Sequence, residues 1–498
     1  MIMSSSLLIL LLMPLLGATI IALLPSKLSN NHPRFIRNVA IITATATLLY
    51  SVFLIYWGDV TPTEQGLWQT YHHAWNTRMG TSFSLGVDGF SYPMIMLTTL
   101  LVWVAILASK SINHHPKGYY LLMLVLSTAI MGVFMARDWA LFYVFWEATL
   151  IPLFFLIDRW GGAGRQTAAL NFFLYTMGGS VFMLLSLLVL FDATGGKSFS
   201  FEAIAEGAKH LDTSHQVWIF FGLLIGFGVK MPIFPLHGWL PLAHVEAPSP
   251  VSILLSGILL KMGAYGLIRA CEMLPLAAIS LQTLLLVLAL IAITYGALLA
   301  WRQSDMKKMI AYSSVAHMGV VLLGISTLNA TGMTGAVYQM VAHGFVAGAS
   351  FMLIGLLYER THTKNINDYG SLMGVTPRFA FFIIIAFIAG VGLPGTAGFV
   401  AELHVMIGGF KHWGWVMLIL SFGVLVTAAY SVRTIKRLFT GPAKENMKDI
   451  RDLRNIEVLA VGVLTLGVVG FGFYPAPIID LITPTVNNFV NLVSSSHH

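Results

Sequence analysis

Four ionisable residues lie within long apolar stretches of this 498-residue sequence. Glu147 is in the middle of one stretch, and Lys261 is central in another. Lys230 comes just before a proline-rich interruption, and Glu402 follows a cluster of glycine and proline. A charge at the centre of a bilayer costs on the order of 3 kcal/mol, so such residues usually have a function in ion or proton transfer. The pattern predicts proton translocation through the membrane.

Glu147 and Lys230 could work as a pair. A buried lysine beside a carboxylate holds its proton while the carboxylate is charged, and it releases that proton when the carboxylate moves or is neutralised. Lysine suits this exchange because arginine stays charged. The alternative is that these residues form ion pairs whose only role is to hold helices together.

Four histidines extend this set, and imidazole gains and loses protons near neutral pH. His237 and His244 follow the interruption after Lys230. His317 and His343 lie in apolar stretches between Lys261 and Glu402 in chain order. With Ser, Thr, Tyr and water, they are candidates for a proton relay. A lone histidine in an apolar stretch is also often a plain core residue, and no spacing indicates metal or haem ligation.

The composition indicates a membrane protein. Charged residues are 10% of the chain and hydrophobic residues 57%, against roughly 25% charged in a soluble domain. The single cysteine, Cys271, excludes a disulfide framework and a cysteine-ligated cluster within the chain. No dinucleotide-binding or P-loop motif is present, so the driving force must come from an ion gradient or a partner. The net charge of +7 reflects loops between spans and does not indicate nucleic-acid binding.

Apolar blocks long enough to cross a bilayer predict an all-α polytopic protein with about fourteen transmembrane helices. The predicted spans are 4–24, 36–57, 86–108, 118–136, 139–157, 166–191, 216–239, 250–270, 276–300, 307–328, 333–358, 377–410, 413–438 and 456–474. The first is interpreted as a retained span and not a signal peptide, because no basic residue precedes it. Residues 61–84 form a polar segment, and residues 198–210 are predicted to form a short amphipathic interfacial helix.

The basic residues support this order of spans. When the loops are numbered along the chain, the odd loops carry 20 basic residues and the even loops carry six. The positive-inside rule then places the odd loops in the cytoplasm and both termini on the opposite side.

Two of the predicted spans are interrupted, the seventh by Pro232 and Pro235 and the twelfth around Pro394. Paired breaks of this kind indicate a transporter built from inverted repeats. The predicted organisation is an N-terminal three-helix segment (1–115), a first five-helix repeat with spans four to eight (116–274), a second with spans nine to thirteen (275–440), and a C-terminal part with span fourteen (441–498).

With these residues in place, the chain resembles the antiporter-like membrane subunits of respiratory complex I over essentially its whole length. The most specific stretches run from Lys230 to Pro248 and from Gly257 to Arg269. The Phe-Trp-Glu ending at Glu147 and the Gly-Phe-Val-Ala-Glu ending at Glu402 agree with them.

Within this family the chain is similar to the subunit M (chain 4) type. The sister L and N subunits and the multi-subunit sodium/proton antiporters generally carry lysine where this chain has Glu402. Two departures from the family pattern are the sequence from Ala247 to Ser252 and the Ala401-Glu402-Leu403 triplet, and neither removes an ionisable group.

The resemblance implies roles for individual residues. Glu147 and Lys230 would form the switch pair, Lys261 would be the central relay lysine, and Glu402 would be the terminal group of the exit half. His237, His317 and His343 would carry protons between them, and His244 is kept as a further relay candidate.

The resemblance also implies a setting. The chain would bind no cofactor, because FMN, iron–sulfur clusters and quinone would be bound by other subunits. Its partners would be the L and N type subunits and lipids, in the plasma membrane of a bacterium. Two alternatives stay open: a subunit of a multi-subunit cation/proton antiporter, and a quinone-binding redox subunit, which the wide spread of the charged residues disfavours.

Overall fold

The structure is a computed structural model, and it describes residues 6–25, 32–57, 66–442 and 444–495. Of the predicted spans and the polar segment, residues 4, 5 and 61–65 lie outside the described residues.

Among the described residues, the first half of the chain consists of helices, connecting loops and one β-hairpin. Its elements are α1 (Ser6–Leu23), α2 (Pro33–Trp57), β1 (Gln69–Asn76), β2 (Thr81–Val87), α3 (Ser91–Ala108), α4 (Pro116–Met135), α5 (Trp139–Ala148), α6 (Leu150–Trp160), α7 (Arg165–Ala193), α8 (Phe201–Ala208), α9 (Thr213–Lys230), α10 (Trp239–Glu246) and α11 (Ser249–Met273). Helix α11 contains a π-helical turn at Leu255–Leu259.

The second half is helical throughout the described residues. Its elements are α12 (Pro275–Ser280), α13 (Gln282–Arg302), α14 (Met306–Ser326), α15 (Ala330–Thr361), α16 (Leu372–Val375), α17 (Pro377–Val391), α18 (Ala397–Trp413), α19 (Leu418–Phe439), α20 (Asn455–Phe473) and α21 (Ala476–Ser495). The predicted all-α multi-pass membrane fold is confirmed.

Twelve stretches of the described chain are long and apolar enough to cross a membrane. One of them, Ala397–Phe439, holds both α18 and α19, while α9 and the shorter α17 are not among the twelve. The count of fourteen spans therefore stays a prediction.

Two of the candidate residues lie on the innermost helices. The most apolar 18-residue parts of α11 and α15 are 100% buried inside the protein, against 28% for α2. Lys261 on α11 and His343 on α15 therefore face protein on every side and do not contact lipid.

The same helix pairs are in contact in the two predicted repeats. In the first, α6 packs on α7 and α7 packs on α9; in the second, α14 packs on α15 and α15 packs on α18. Each repeat also has its broken helix in the fourth position, α9/α10 and α17/α18. The two inverted repeats and their boundaries stay a prediction.

The antiparallel hairpin of β1 and β2 was not predicted, since residues 61–84 were interpreted only as a polar segment. Because β2 extends to Val87, the third span begins at Ser91 and not at residue 86 as predicted. The side chain of Asp88 accepts hydrogen bonds from the main-chain N–H groups of Phe90 and Ser91 at 3.0 Å each, and these bonds fix the helix start. A short helix is present within the predicted segment 198–210 as α8, and its position at the membrane interface stays a prediction.

Helix α21 was also not predicted. Its apolar residues recur every three or four positions, and Ile478, Ile482, Val486, Phe489 and Val493 are buried. This spacing places them on one face of a helix. The polar residues between them made the segment too polar to be predicted as a span.

Candidate functional site

Lys261 is the centre of a hydrogen-bonded cluster. Its Nζ donates to the carbonyl oxygen of Ser256 at 2.6 Å and lies 2.6 Å from Nδ1 of His343. Ser256 belongs to the π-helical turn of α11, and such turns are frequent at functional sites. A protonated lysine has no acceptor, so Nδ1 of His343 accepts this bond.

His343 also forms a hydrogen bond to a hydroxyl group, through its second ring nitrogen. Its Nε2 lies 3.2 Å from Oγ of Ser314 on α14, and Ser314 Oγ lies 2.8 Å from Oγ of Ser256. With Nδ1 accepting from Lys261, Nε2 carries the hydrogen and donates to Ser314. Lysine, imidazole and hydroxyl are therefore joined in one chain of hydrogen bonds.

His317 is next to this chain and bridges to the broken helix. Its ring centroid is 5.2 Å from that of His343. Its Nδ1 lies 2.8 Å from the carbonyl oxygen of Ser313, and its Nε2 lies 3.0 Å from that of Gly390. The residue four positions after Gly390 is Pro394, which has no N–H to donate, so the break leaves this carbonyl free for His317.

Both ring nitrogens of His317 thus face acceptors. A neutral imidazole has one N–H and leaves a lone pair opposed to the second carbonyl, whereas an imidazolium donates to both. Ser313 also offers its hydroxyl group, which lies 3.3 Å from Nδ1 and receives a 2.8 Å hydrogen bond from Tyr430. This site can therefore hold His317 in either protonation state.

Two small cavities lie on either side of His317. One of about 30 Å³ is lined by His343, Ser314 and Tyr430, and one of about 20 Å³ is lined by Glu402 on α18. His317 lines both. Each cavity exceeds the roughly 10–15 Å³ that one water molecule needs. The structure therefore brings Lys261, His343, His317 and Glu402 together in one region.

Lys230 and Glu147 lie at the first broken helix. Lys230 is the last residue of α9; its Nζ donates to Oγ1 of Thr149 at 2.9 Å and lies 4.6 Å from the centre of the Trp146 ring. The ion pairs formed within the described residues do not include Lys230 with Glu147. Oε1 of Glu147 is buried without a hydrogen-bond partner in the described chain.

The first break satisfies its own carbonyl groups. Pro232 has no N–H for the carbonyl of Gly228, which accepts instead from the N–H of Ile233 at 2.8 Å. The carbonyl of Val229 accepts from the indole N–H of Trp239 at 2.8 Å. No titratable group takes part in these two bonds.

Two predicted relay residues are not hydrogen-bonded to the others. Both ring nitrogens of the buried His244 lack a hydrogen-bond partner in the described chain, and its ring stacks on Phe351. Nδ1 of His237 is also without a partner there, and its ring is surrounded by Phe234 and Tyr295. A direct relay through them is not present in this arrangement.

Sequence reasoning did not single out Thr149, Ser256, Ser313, Ser314 and Tyr430. A usable signal was present for the serines, because Ser313 and Ser314 lie one helical turn before His317. Tyr430 carried no such signal, because its contact with Ser313 joins residues 117 positions apart. Within the described residues, no group of three His, Cys, Asp or Glu side chains is placed to hold a metal ion.

Comparison with known proteins shows the family of this chain. The family described as NADH:quinone oxidoreductase/Mrp antiporter, transmembrane, matches residues 136–427. NADH-quinone oxidoreductase subunit M of Rhodobacter capsulatus is 39% identical over 489 residues, covering 96% of this chain and 95% of the relative. A chain 4 of NAD(P)H-quinone oxidoreductase from a Picosynechococcus species is 41% identical over 476 residues, covering 93% of this chain and 87% of the relative.

Solved structures share the fold. A chain of respiratory complex I from Thermus thermophilus matches with a TM-score of 0.88 and 29% identity, covering 98% of this chain and 99% of the other. A chain of an archaeal membrane-bound sulfane sulfur reductase matches with a TM-score of 0.82 and 23% identity, covering 94% and 76%, which shows the fold alone. The chain is therefore part of a multi-subunit membrane complex. It belongs to the family of transmembrane subunits shared by NADH:quinone oxidoreductases and Mrp antiporters, and within that family to subunit M, or chain 4.

Proposed function

We propose that this chain is a proton-translocating subunit in the membrane arm of an NADH:quinone oxidoreductase of the complex I type. Its near full-length similarity to subunit M and chain 4 supports this function over that of a generic cation/proton antiporter subunit. Electron transfer from NADH, or another donor, to quinone in other subunits would drive proton movement here.

The mechanism is based on the hydrogen-bonded chain from Lys261 through His343 to Ser314. A proton moves from Nζ of Lys261 to Nδ1 of His343, leaving a neutral amine and an imidazolium. The imidazolium then releases its other proton from Nε2 toward Ser314. His343 then carries its one hydrogen on Nδ1, and transfer of that hydrogen to Nε2, or rotation of the ring, restores the tautomer that accepts the next proton from Lys261.

His317 and Glu402 form the second half of the proton path, through which the proton leaves. A proton that reaches the cavity beside Ser314 protonates His317, whose two ring N–H groups then donate to the carbonyls of Ser313 and Gly390. The cavity on the other side of His317 leads to the carboxylate of Glu402. A carboxylate next to a histidine is a suitable terminal acceptor because transfer of the proton from the imidazolium to the carboxylate leaves two neutral groups, and burial disfavours the charged form of both.

Glu147 and Lys230 form the switch. In this arrangement Thr149 and the face of Trp146 hold the ammonium group of Lys230, and Glu147 is not paired with it. Rotation of the Glu147 carboxylate toward Lys230 would compete with Thr149 for the ammonium group. The switch therefore has two arrangements, in which Lys230 is bound either to a hydroxyl or to a carboxylate.

The setting follows from the family. The L and N type subunits would be neighbours in the membrane arm, FMN, iron–sulfur clusters and quinone would be bound by other subunits, and the complex would lie in a bacterial plasma membrane with the odd loops in the cytoplasm.

The test is proton pumping by the complete complex, purified and reconstituted in vesicles. Lys261→Ala should lower NADH-driven proton uptake about 100-fold, the low end of the effect of removing a positioned acid–base group. Lys261→Arg should fail almost as badly, because arginine keeps its proton. Lys411→Ala, which removes an exposed lysine, is the control. Wild-type pumping by both Lys261 variants would refute the proposal.

A second assay distinguishes redox-driven proton pumping from the alternative function, cation/proton antiport. Vesicles with an imposed proton gradient and no NADH should show no exchange of labelled sodium that depends on Lys261. Sodium exchange lost in Lys261→Ala, together with unaltered NADH-driven pumping, would favour the antiporter function.

A further inference from the structure

A cavity of about 370 Å³ lies at one end of the helix bundle, away from the proton path. It is enclosed by the start of α2, the end of α3, the end of α15 and the segment leading into α20. All four parts adjoin odd-numbered loops, so the cavity is at the end of the protein that is predicted to face the cytoplasm.

The cavity holds more positive than negative charge. Five basic side chains line it, and they are Arg34, Arg37, Lys110, Arg360 and Arg454. The lining carboxylates are those of two residues, Glu359 and Glu457.

Both carboxylates are already engaged. Glu457 forms an ion pair with Arg360 at 2.6 Å, and one oxygen of Glu359 accepts a hydrogen bond from the hydroxyl of Ser111 at 2.7 Å. The other four basic side chains form no ion pair with a described carboxylate, and Nε of Arg37 is buried without a hydrogen-bond partner in the described chain. A buried N–H without a partner is costly, and the lining carries more positive than negative charge, so the cavity is suited to an anion from outside this chain.

A cavity of about 290 Å³ elsewhere in the protein serves as a contrast. Arg269 and Arg137 line it, and both are close to Asp88, at 2.5 Å and 3.8 Å. Arg137 is also paired with Glu202 at 2.7 Å and Arg269 with Glu272 at 2.8 Å. Every basic side chain that lines that cavity is paired with a carboxylate of the chain, whereas four of those in the cavity beside Arg37 are not.

Two apolar stripes lead away from the cavity beside Arg37. Exposed apolar residues recur every seven positions on α2 and on α20, which places each set on one side of its helix. They are Phe35, Ile42 and Leu49 on α2, and Leu459, Leu466 and Phe473 on α20. A basic cavity at the end of such stripes matches a molecule with an anionic head and long apolar chains.

We propose that this cavity binds the phosphate headgroup of an anionic phospholipid, whose acyl chains lie along the stripes of α2 and α20. Arginine presents a planar fork of N–H groups that fits two phosphate oxygens at once. Basic pockets between transmembrane helices on the cytoplasmic side are a common form of lipid headgroup site.

The experiment compares lipid retained by the purified complete complex. The complex is stripped in detergent and re-embedded in nanodiscs of phosphatidylcholine with increasing phosphatidylglycerol, and bound phosphatidylglycerol is counted by native mass spectrometry. Arg37→Gln/Arg454→Gln should weaken binding roughly 30-fold, as expected for the loss of two cations at a lipid headgroup. Arg302→Gln, an exposed basic residue on another odd loop, should bind like the wild type.

Two further measurements test the contribution of the arginine side chains and the nature of the bound anion. Arg37→Lys/Arg454→Lys keeps the charge and loses the forks, so it should assemble and bind with intermediate affinity even where the double Gln variant fails to fold. Inorganic phosphate is added as a competitor to distinguish a free-anion site, and it should displace the lipid only weakly.

Three results would overturn the proposal. The first is equal retention of phosphatidylglycerol by both double variants and the Arg302→Gln control. The second is displacement of the lipid by millimolar phosphate. The third is loss of a neighbouring subunit from the variants with an unchanged lipid count, which would assign the cavity to a protein contact.

Discussion

The break between α9 and α10 and the break between α17 and α18 both contain prolines that leave main-chain carbonyl groups without their helical partners. At the first break, the carbonyls of Gly228 and Val229 bond to a main-chain N–H and to the indole of Trp239. At the second, the carbonyl of Gly390 bonds to the imidazole of His317. The free carbonyls of the first break are thus bonded to groups that do not titrate, whereas the free carbonyl of the second is bonded to a histidine, which does.

The ionisable groups differ in the same way. Lys230 at the first break is held by Thr149 and Trp146, and no hydrogen bond of the described chain connects it to a histidine. Glu402 at the second break lines a cavity together with His317. From this comparison we propose that the first break works as a switch and the second as part of a path.

The largest effect is expected at the end of the path. Glu402→Ala should lower NADH-driven pumping about 100-fold, because it removes the terminal acceptor. Glu402→Lys, the residue type usual in the sister subunits, should retain more activity than Glu402→Ala. The measurement is acidification of vesicles per NADH oxidised. Equal pumping by Glu402→Ala and the wild type would remove Glu402 from the mechanism.

The next largest effect should separate two histidines that the sequence treated alike. His343→Leu cuts the contact between Lys261 and Ser314 and should lower pumping roughly 30-fold, less than a complete loss because water can bridge part of the gap. His244→Leu should stay within about twofold of the wild type, because His244 stacks on Phe351 and its ring forms no hydrogen bond in the described chain.

Proton uptake by the two histidine variants is compared in the same vesicle preparation. A strong defect in His244→Leu with normal pumping by His343→Leu would reverse the assignment and place the path through α10.

A smaller effect is expected at the switch. Thr149→Val removes the hydroxyl that binds Lys230, and a hydrogen bond to a charged group contributes about 1.5–3 kcal/mol. Pumping should fall by roughly tenfold at most, because Trp146 and Glu147 remain. Thr149→Ser keeps the hydroxyl and is the matched control. A Ser variant as defective as the Val variant would show that the hydroxyl is not the relevant group.

The smallest effect on pumping is expected for Trp239→Phe. It leaves the carbonyl of Val229 without its donor and should lower stability by about 1–3 kcal/mol. The number of protons pumped per NADH should not change, because no proton passes through this bond. Thermal unfolding of the purified complex and pumping stoichiometry are measured together. A lowered stoichiometry at unchanged stability would contradict the contrast between the two breaks.

Much of the membrane fold could be predicted because it depends on local composition. The apolar blocks and the proline interruptions were visible in the chain, and the helices follow them closely. The β-hairpin was not predicted because it is short and polar, and α21 was not predicted because it has the length of a span but not its apolar character. Both depend on contacts with residues distant in sequence. One example is the hydrogen bond from the N–H of Gly89, just after β2, to Thr485 of α21.

The candidate site was predictable only in its ionisable members. Lys230, Lys261 and Glu402 were conspicuous because charge is rare in apolar blocks. Their connections could not be predicted, because Lys261 and His343 are 82 positions apart and His317 and Gly390 are 73 apart. Four buried or partly buried histidines looked equivalent in the sequence, and only the packing of α10, α14 and α15 distinguishes them.

The most direct test of the path is the number of protons pumped per NADH by His317→Leu in reconstituted complex. His404→Leu is the matched control, because Nδ1 of His404 bonds to the carbonyl of Val400 in its own helix. The path through the second break predicts that His317→Leu loses most proton translocation by this subunit while His404→Leu pumps like the wild type. Full wild-type stoichiometry in His317→Leu would contradict a path from Lys261 to Glu402 through this residue.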